Sequence, residues 1–397
     1  MIKYELNKVM KTLFILLGIS VLAIIISSII LDGNKTSRHS ATLLSEYKGV
    51  VSSTQLENYK KDYKYVDSLV VITDPEKGIS YNLEILKAKG EYFDTIGDDW
   101  TFLGEINKIC HKVDDRLAFI EKVEKQDNYS SEYYDKDYDK KYIIADTKEA
   151  ELLIKNSNYG IAAVIAAIVI AIVLVEVENK SRLSIVIYPT KNGGDFICAN
   201  KVTVGVLLSI SMVLLGFVTY FLTQFILLGY GKNELSLPLY YIEGFEFAPS
   251  GITVGKYMLI ELFSNIVITI TFMMLTLGAS MLIRKAVLTS SIVGIIACTF
   301  YALEKIYYRL FNGGFDTTNK YIVATSTFGE IYSKFKVWLF LSLLDIKFYF
   351  EQPRYFAIGK IALYQIFIPI LLCSIISIGL GILFTKKYKF PRKELIL

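Results

Sequence analysis

The chain has 397 residues, 53% of them hydrophobic, and a formal net charge of +4. Length alone would allow two or three soluble domains, but long apolar runs overrule that reading and point to a polytopic membrane protein. Residues 32–158 hold 19 Lys/Arg against 25 Asp/Glu, or −6, which leaves +10 beside the apolar runs; that surplus suits lipid headgroups and argues against a nucleic-acid partner.

Residues 1–11, MIKYELNKVMK, place Ile2, Leu6, Val9 and Met10 on one side of a helix and Lys3, Lys8 and Lys11 mostly elsewhere. The pattern predicts a cytoplasmic interfacial helix, or a plain helical extension of the run that follows. That run, 12–31, is the first of six; the others are 159–175, 202–229, 257–283, 286–303 and 361–385. About 20 apolar residues cross a bilayer core. Inside lipid the backbone must satisfy its own hydrogen bonds, so each run is read as a helix. The expected fold class is an all-α polytopic membrane protein. It has six transmembrane helices and a mainly helical extracytoplasmic domain between the first and second. The first run has a charged lead-in and no small-residue cleavage site, so it is expected to stay as an anchor.

Orientation follows from basic residues near short connections. They cluster at the N-terminus, in 176–201 (Lys180, Arg182, Lys191, Lys201), at Arg284 and Lys285, and in the tail 386–397. Both termini are therefore expected in the cytoplasm of a bacterial cell; Lys makes up 36 of the 43 basic residues, as in AT-rich bacterial genomes.

The water-soluble stretch 32–158 opens with a helical pattern over 41–48 that Gly49 would cap. Ser52 to Gln55 then has capping-box spacing, followed by Leu56, Tyr59, Tyr63 and Val66 at helical intervals. Residues 69–73 form a strand-like run ended by Asp74-Pro75. Ile106, Ile109, Val113, Leu117, Ile120 and Val123 recur at three and four, predicting one amphipathic helix. Residues 129–141, YSSEYYDKDYDKK, lack the fixed Gly and Glu of a calcium loop and read as a mobile solvated segment.

The second run carries Ala163, Ala167 and Ala171 one turn apart, a spacing that lets helices approach closely in lipid. After it, 176–201 is a short basic loop with apolar content. Leu183, Ile185 and Ile187 lie in 181–188, Pro189 ends that piece, and Asn192-Gly193-Gly194 predicts a turn. Apolar side chains there pack either on the protein's own inner surface or on a partner. Further on, Glu261 and Asn265 lie one turn apart near the outer end of the fourth run. An intramembrane acid is a functional candidate, with a snorkelling interfacial role as the alternative. Residues 304–360 form an external connection whose patch 337–344, VWLFLSLL, is too short to span and predicts a re-entrant or interfacial helix pair. The sixth run holds Pro369, an expected kink.

Catalytic signatures are absent from the sequence. Its two histidines, His39 and His111, lie in the soluble stretch and form no HExxH. The Gly-Lys pairs at Gly231, Gly255 and Gly359 lack the earlier glycine and following Ser/Thr of a phosphate-cradling loop. The four cysteines are scattered, and only Cys110 falls in 32–158. The chain is expected to be non-catalytic, with neither metal nor cofactor of its own.

Taken together, these features resemble the permease subunits of the ATP-binding-cassette type-2 exporter class. The resemblance rests on Tyr4-Glu5-Leu6-Asn7-Lys8, six runs, a large domain after the first, and the order Glu178, Leu-rich piece, Pro189, Lys201. The stretch 46–63, EYKGVVSSTQLENYKKDY, is similar to the opening of external domains in permeases from low-GC Gram-positive bacteria. Where such permeases often carry an Arg after the Pro, this chain has Asn192-Gly193-Gly194-Asp195.

The resemblance implies that 176–201 holds a coupling helix. Glu178, Ser181, Arg182, Leu183, Ile185, Pro189, Thr190 and Lys191 would dock a separate cytosolic ATPase, which would bind the ATP and Mg. It implies a dimer of permeases, homomeric or heteromeric, and an outer gate that would include Trp338, Leu339, Leu341 and Leu343. Export of an amphipathic peptide or lipid-like substrate is the expected function. A force-transmitting ABC-linked membrane protein and, less well supported, a membrane enzyme acting on lipid or peptide are the alternatives.

Overall fold

A computed structural model of the chain describes residues 12, 14–26, 49–51, 57–58, 61, 70–74, 78–81, 109–122, 124–125, 133–139, 142–144, 147–155, 159–181, 193–228, 232–283, 288–289, 343–344, 346–351, 355–358 and 361–386. These residues are mostly helical. In chain order the helices are α1 (Phe14–Ile26), α2 (109–122), α3 (Lys136–Asp139), α4 (Thr147–Lys155), α5 (Tyr159–Ser181), α6 (Gly193–Leu228), α7 (Lys232–Ser236), α8 (Val254–Ile283), α9 (Lys347–Glu351) and α10 (Phe367–Lys386). Four of them, α5, α6, α8 and α10, contain stretches long and apolar enough to cross a membrane, and α1 is a shorter apolar helix. This is the architecture of a membrane protein.

The bundle is built on α8, which packs against α5, α6 and α10. Its sequence explains the role. Ser264, Asn265, Thr269, Thr271, Thr276 and Ser280 are all buried, and such small or polar side chains let neighbouring helices come close. Toward α10, Thr271 Oγ1 lies 3.0 Å from Ser377 Oγ, and Phe384 sits against the bare backbone of Gly278. Toward α5 and α6, Gly160 receives the Asn265 amide and Gly205 the Met273 methyl. Ala163, Ala166, Ala167 and Ala171 of α5 are buried in the same core. The opposite faces stay exposed and apolar: Leu207, Leu214, Val218 and Phe225 on α6, Phe367, Leu371, Ile375 and Ile378 on α10. Lipid tails are as apolar as leucine, so those faces lose nothing by facing a bilayer.

Three antiparallel strand pairs qualify the all-α expectation. Gly49–Val51 pairs with Tyr142–Ile144, Val70–Asp74 with Gly78–Tyr81, and Tyr355–Ile358 with Ile361–Tyr364. The second pair contains the strand expected over 69–73. Gly49, expected as a helix cap, instead opens a strand, while 41–48 lies outside the described residues.

Several expected boundaries move. The sixth run was expected from 361, but Ile361–Tyr364 is the return strand of a hairpin and the helix starts at Phe367. In this register Phe356 and Ile358 face Leu363 and Ile361, and apolarity alone does not separate such a pair from helix. Pro369 therefore falls in the first turn of α10, where its missing N–H breaks no helical bond, so it marks a helix start and not a kink. The loop expected at 176–201 shrinks from both sides. α5 runs on to Ser181 and α6 begins at Gly193, so the Gly193-Gly194 turn becomes the first turn of a helix. The fifth run, 286–303, lies outside the described residues except Leu288 and Thr289, which are helical.

Candidate functional site

The described polar groups gather at three levels of the bundle. The first is a cap over the end where α5 and α8 begin. Its foundation is the loop between α7 and α8. Leu239 N donates to Ile252 O (2.9 Å), Val254 N donates to Leu237 O (2.9 Å), and Pro238 bridges Thr253, so the loop is closed at its base. Gly244 (φ 94°) and Gly251 (φ 76°) take the left-handed turns this closure needs. Onto the loop docks α2, whose buried face carries Ile109, Val113 and Ile120. Arg116 falls on that face too and is buried. Its Nε donates to Asp139 Oδ2 (2.9 Å), Nη1 to Glu246 O (2.9 Å) and Nη2 to Ala248 O (2.6 Å). The Ser250 hydroxyl donates to the same Asp139 oxygen (2.6 Å). Phe119, Tyr134 and Tyr240 rings surround the guanidinium at 5.7, 4.9 and 5.1 Å.

A charge removed from water is tolerated when it is paired and hydrogen-bonded; all three guanidinium nitrogens donate here, while the second Asp139 oxygen, Oδ1, is buried without a hydrogen bond. Tyr240 closes the site by donating to Asp139 O (3.0 Å). Burial first, then Tyr241 and Asp139, push its phenol well above the ordinary range, so it acts as a neutral donor. At the cap's edge Lys136 reaches Glu124 (2.8 Å), and this hydrogen bond raises its pKa.

Rings extend the cap toward α10. Tyr133 contacts Tyr364, Tyr364 contacts Phe350, and Phe350 meets Tyr257 of α8 edge-on at 5.1 Å. Tyr364 donates its hydroxyl to Tyr349 O and has a raised pKa through burial. The segment 129–141, expected to be solvated, thus contributes Tyr134 and Asp139 to a buried contact. Its aromatic and acidic residues are what the Arg116 pocket uses.

The second level lies one to three turns inside α8. Glu261 is only 3% exposed, which corrects the snorkelling alternative: it faces the bundle, not the interface. Tyr159 lies beside Asn265 and within electrostatic range of Glu261. Neither the Tyr159 hydroxyl nor the Asn265 amide makes a hydrogen bond of normal geometry, and Ser264 and Thr269 hydroxyls are likewise unbonded. Among the described residues no group of three His, Cys, Asp or Glu could hold a metal ion. The described cysteines, Cys110, Cys198 and Cys373, are buried.

The third level is the opposite end. Lys201 is 1% exposed and donates to Leu174 O (2.7 Å), bracing α6 against α5. About 12 Å of helix separate it from Gly193. It therefore belongs to the bundle, not to the loop, although sequence order placed it at a loop's end.

Of the docking residues, Glu178 and Ser181 belong to the last turns of α5. Arg182, Leu183, Ile185, Pro189, Thr190 and Lys191 lie outside the described residues, as do Trp338, Leu339 and Leu341 of the expected gate. Leu343 is fully buried beside α9. Sequence reasoning missed Arg116. The available signal was its register, three residues after Val113 and four before Ile120. No family model, curated protein or solved structure matches this chain.

Proposed function

We propose that this chain is the transmembrane permease subunit of an ATP-binding-cassette transporter of the type-2 exporter class. In this reading six helices cross the cell membrane of a bacterium, both termini are cytoplasmic, and the cap lies outside. A separate cytosolic ATPase docks on Glu178 and residues 181–191, binds ATP and Mg, and drives a dimer of permeases that exports an amphipathic peptide or lipid-like substrate. Trp338, Leu339, Leu341 and Leu343 would contribute to the outer gate.

The observation that supports this best is the junction of α5 and α6. Two long helices end at Ser181 and begin at Gly193, close enough in sequence to be turned by one motion. Lys201 ties them together a few turns inside. A push on residues 182–192 would therefore be delivered to two spanning helices at once, as rigid-body rocking requires. The test is purification of the intact chain from its own membranes, followed by ATP hydrolysis in lipid. A stoichiometric ATPase subunit whose hydrolysis depends on this chain supports the reading. A chain that purifies as an active complex without one overturns it.

A second reading, force transmission without solute movement, is favoured by the Arg116 contact, which joins the cap to the α7–α8 loop. Vesicle uptake of amphipathic peptides driven by ATP would separate the two.

A further inference from the structure

The segments joined at Arg116 are far apart in sequence. Asp139 belongs to α3, whereas Glu246, Ala248 and Ser250 belong to the loop that runs into α8. The two segments also hold each other directly. Ser250 N donates to Tyr133 O (2.9 Å), and Asp135 N donates to Ser250 Oγ (2.9 Å). Lys112, one turn before Arg116, donates to Tyr241 O (2.7 Å). From Ser250 onward the chain offers little to bend. Thr253 is bridged to Pro238, Val254 N is bonded across the loop base, and Tyr257 N already donates to Thr253 O (2.9 Å) as the helix begins. Phe245 of the loop packs edge-on against Tyr257, one turn into α8.

We propose that Arg116 locks residues 109–139 and the loop 237–253 into one rigid body with the first turns of α8, so that displacement of the cap is delivered to the helix on which α5, α6 and α10 pack. A buried guanidinium cannot slide along its partners, because each shifted geometry leaves a buried charged donor or a carbonyl unpaired. The contact is therefore held or broken as a unit. A ligand or partner that moves the cap moves the start of α8 with it. The coupling is independent of whether the chain transports a solute.

The test is hydrogen exchange on the full chain in detergent micelles, comparing the parent with Arg116→Met. Exchange should rise at least about tenfold at 133–139 and also across 237–254, including the Val254 amide, while 204–220 in mid-bundle stays unchanged. A rise confined to 133–139, or none, overturns the proposal. A second arm adds Tyr133→Cys and Ser250→Cys to Arg116→Met. A backbone hydrogen bond joins these two residues, and formation of the disulfide is verified by mass before exchange is read. Oxidation should restore slow exchange at 237–254; failure to restore it also overturns the proposal. If Arg116→Met does not fold, Asp139→Asn, which keeps the shape and removes the charge, is judged by the same two outcomes.

Discussion

Gly160 and Asn265 meet where α5 crosses α8, and their contact can be tested by exchange of one atom group for another. A Cβ on Gly160 would lie 2.1 Å from Asn265 Oδ1, 2.5 Å from Cγ and 2.9 Å from Nδ2. Carbon contacts are comfortable at about 3.5–4.0 Å, so the amide would have to retreat by more than about 1 Å. Asn265 is fully buried and has no open side to enter. Overpacking of this kind costs about 1–3 kcal/mol. Replacing glycine returns up to about 1 kcal/mol in a helix interior, and less here because Gly160 is the second residue of α5. The net for Gly160→Ala is a loss of about 1–2 kcal/mol, worked from these two terms.

The partner variant is Asn265→Ala. The amide it removes is buried and unbonded, so the variant sheds a desolvation cost while losing packing, and should lie within about 1 kcal/mol of the parent. In that background Gly160→Ala has nothing to strike and should be neutral or stabilising. The coupling energy is expected at about 1–3 kcal/mol. It can be measured by reversible unfolding in mixed SDS micelles, followed by helical circular dichroism. Gly205→Ala is the control. Its Cβ would strike the terminal Met273 methyl at 2.0 Å and touch Met273 Cγ and Sδ at 3.4 Å; the methyl is the flexible end of its side chain, so a smaller loss than from Gly160→Ala is expected. Equal losses from Gly160→Ala with and without Asn265 would refute this account of the crossing.

Other expectations are simpler. Lys201→Met should destabilise the chain by about 1–3 kcal/mol by removing the charged donor to Leu174 O, read by thermal unfolding in detergent. It should leave exchange in the cap unchanged. Cysteines placed at Ser131 and Phe315 should react with an impermeant reagent from outside intact cells and one at Asn192 should not; external labelling at Asn192 contradicts the orientation.

The four long apolar helices were legible because apolar runs of this length leave a helix as their only solution in lipid. α8 was bounded to within a turn, since Val254–Ile283 contains 257–283. The ends adjoining water were read less well. Gly193-Gly194 carries turn chemistry yet starts a helix, because glycine in a first helical turn forfeits little. Ile361–Tyr364 is as apolar as the helix after it, and only its pairing with Tyr355–Ile358 makes it a strand. The cap contact was illegible for another reason. Arg116 and Ser250 are 134 residues apart, and nothing local marks them as partners. What the sequence did offer was a charge on a buried face, and such a charge demands a buried partner somewhere.

Under the proposed function, Glu178 and residues 181–191 dock an ATPase whose work is passed to α5 and α6. The most direct measurement is co-purification and ATP hydrolysis on Leu183→Ala/Ile185→Ala, in membranes where the parent binds its ATPase. Truncating central apolar anchors of an interface costs about 2 kcal/mol or more, roughly thirtyfold in affinity. The double variant should insert normally and lose its ATPase, or keep it with hydrolysis uncoupled from transport, while Lys180→Ala, expected to remove only a rim charge, should do much less. A double variant that retains the ATPase with hydrolysis still coupled would contradict the claim and make 182–191 a connector.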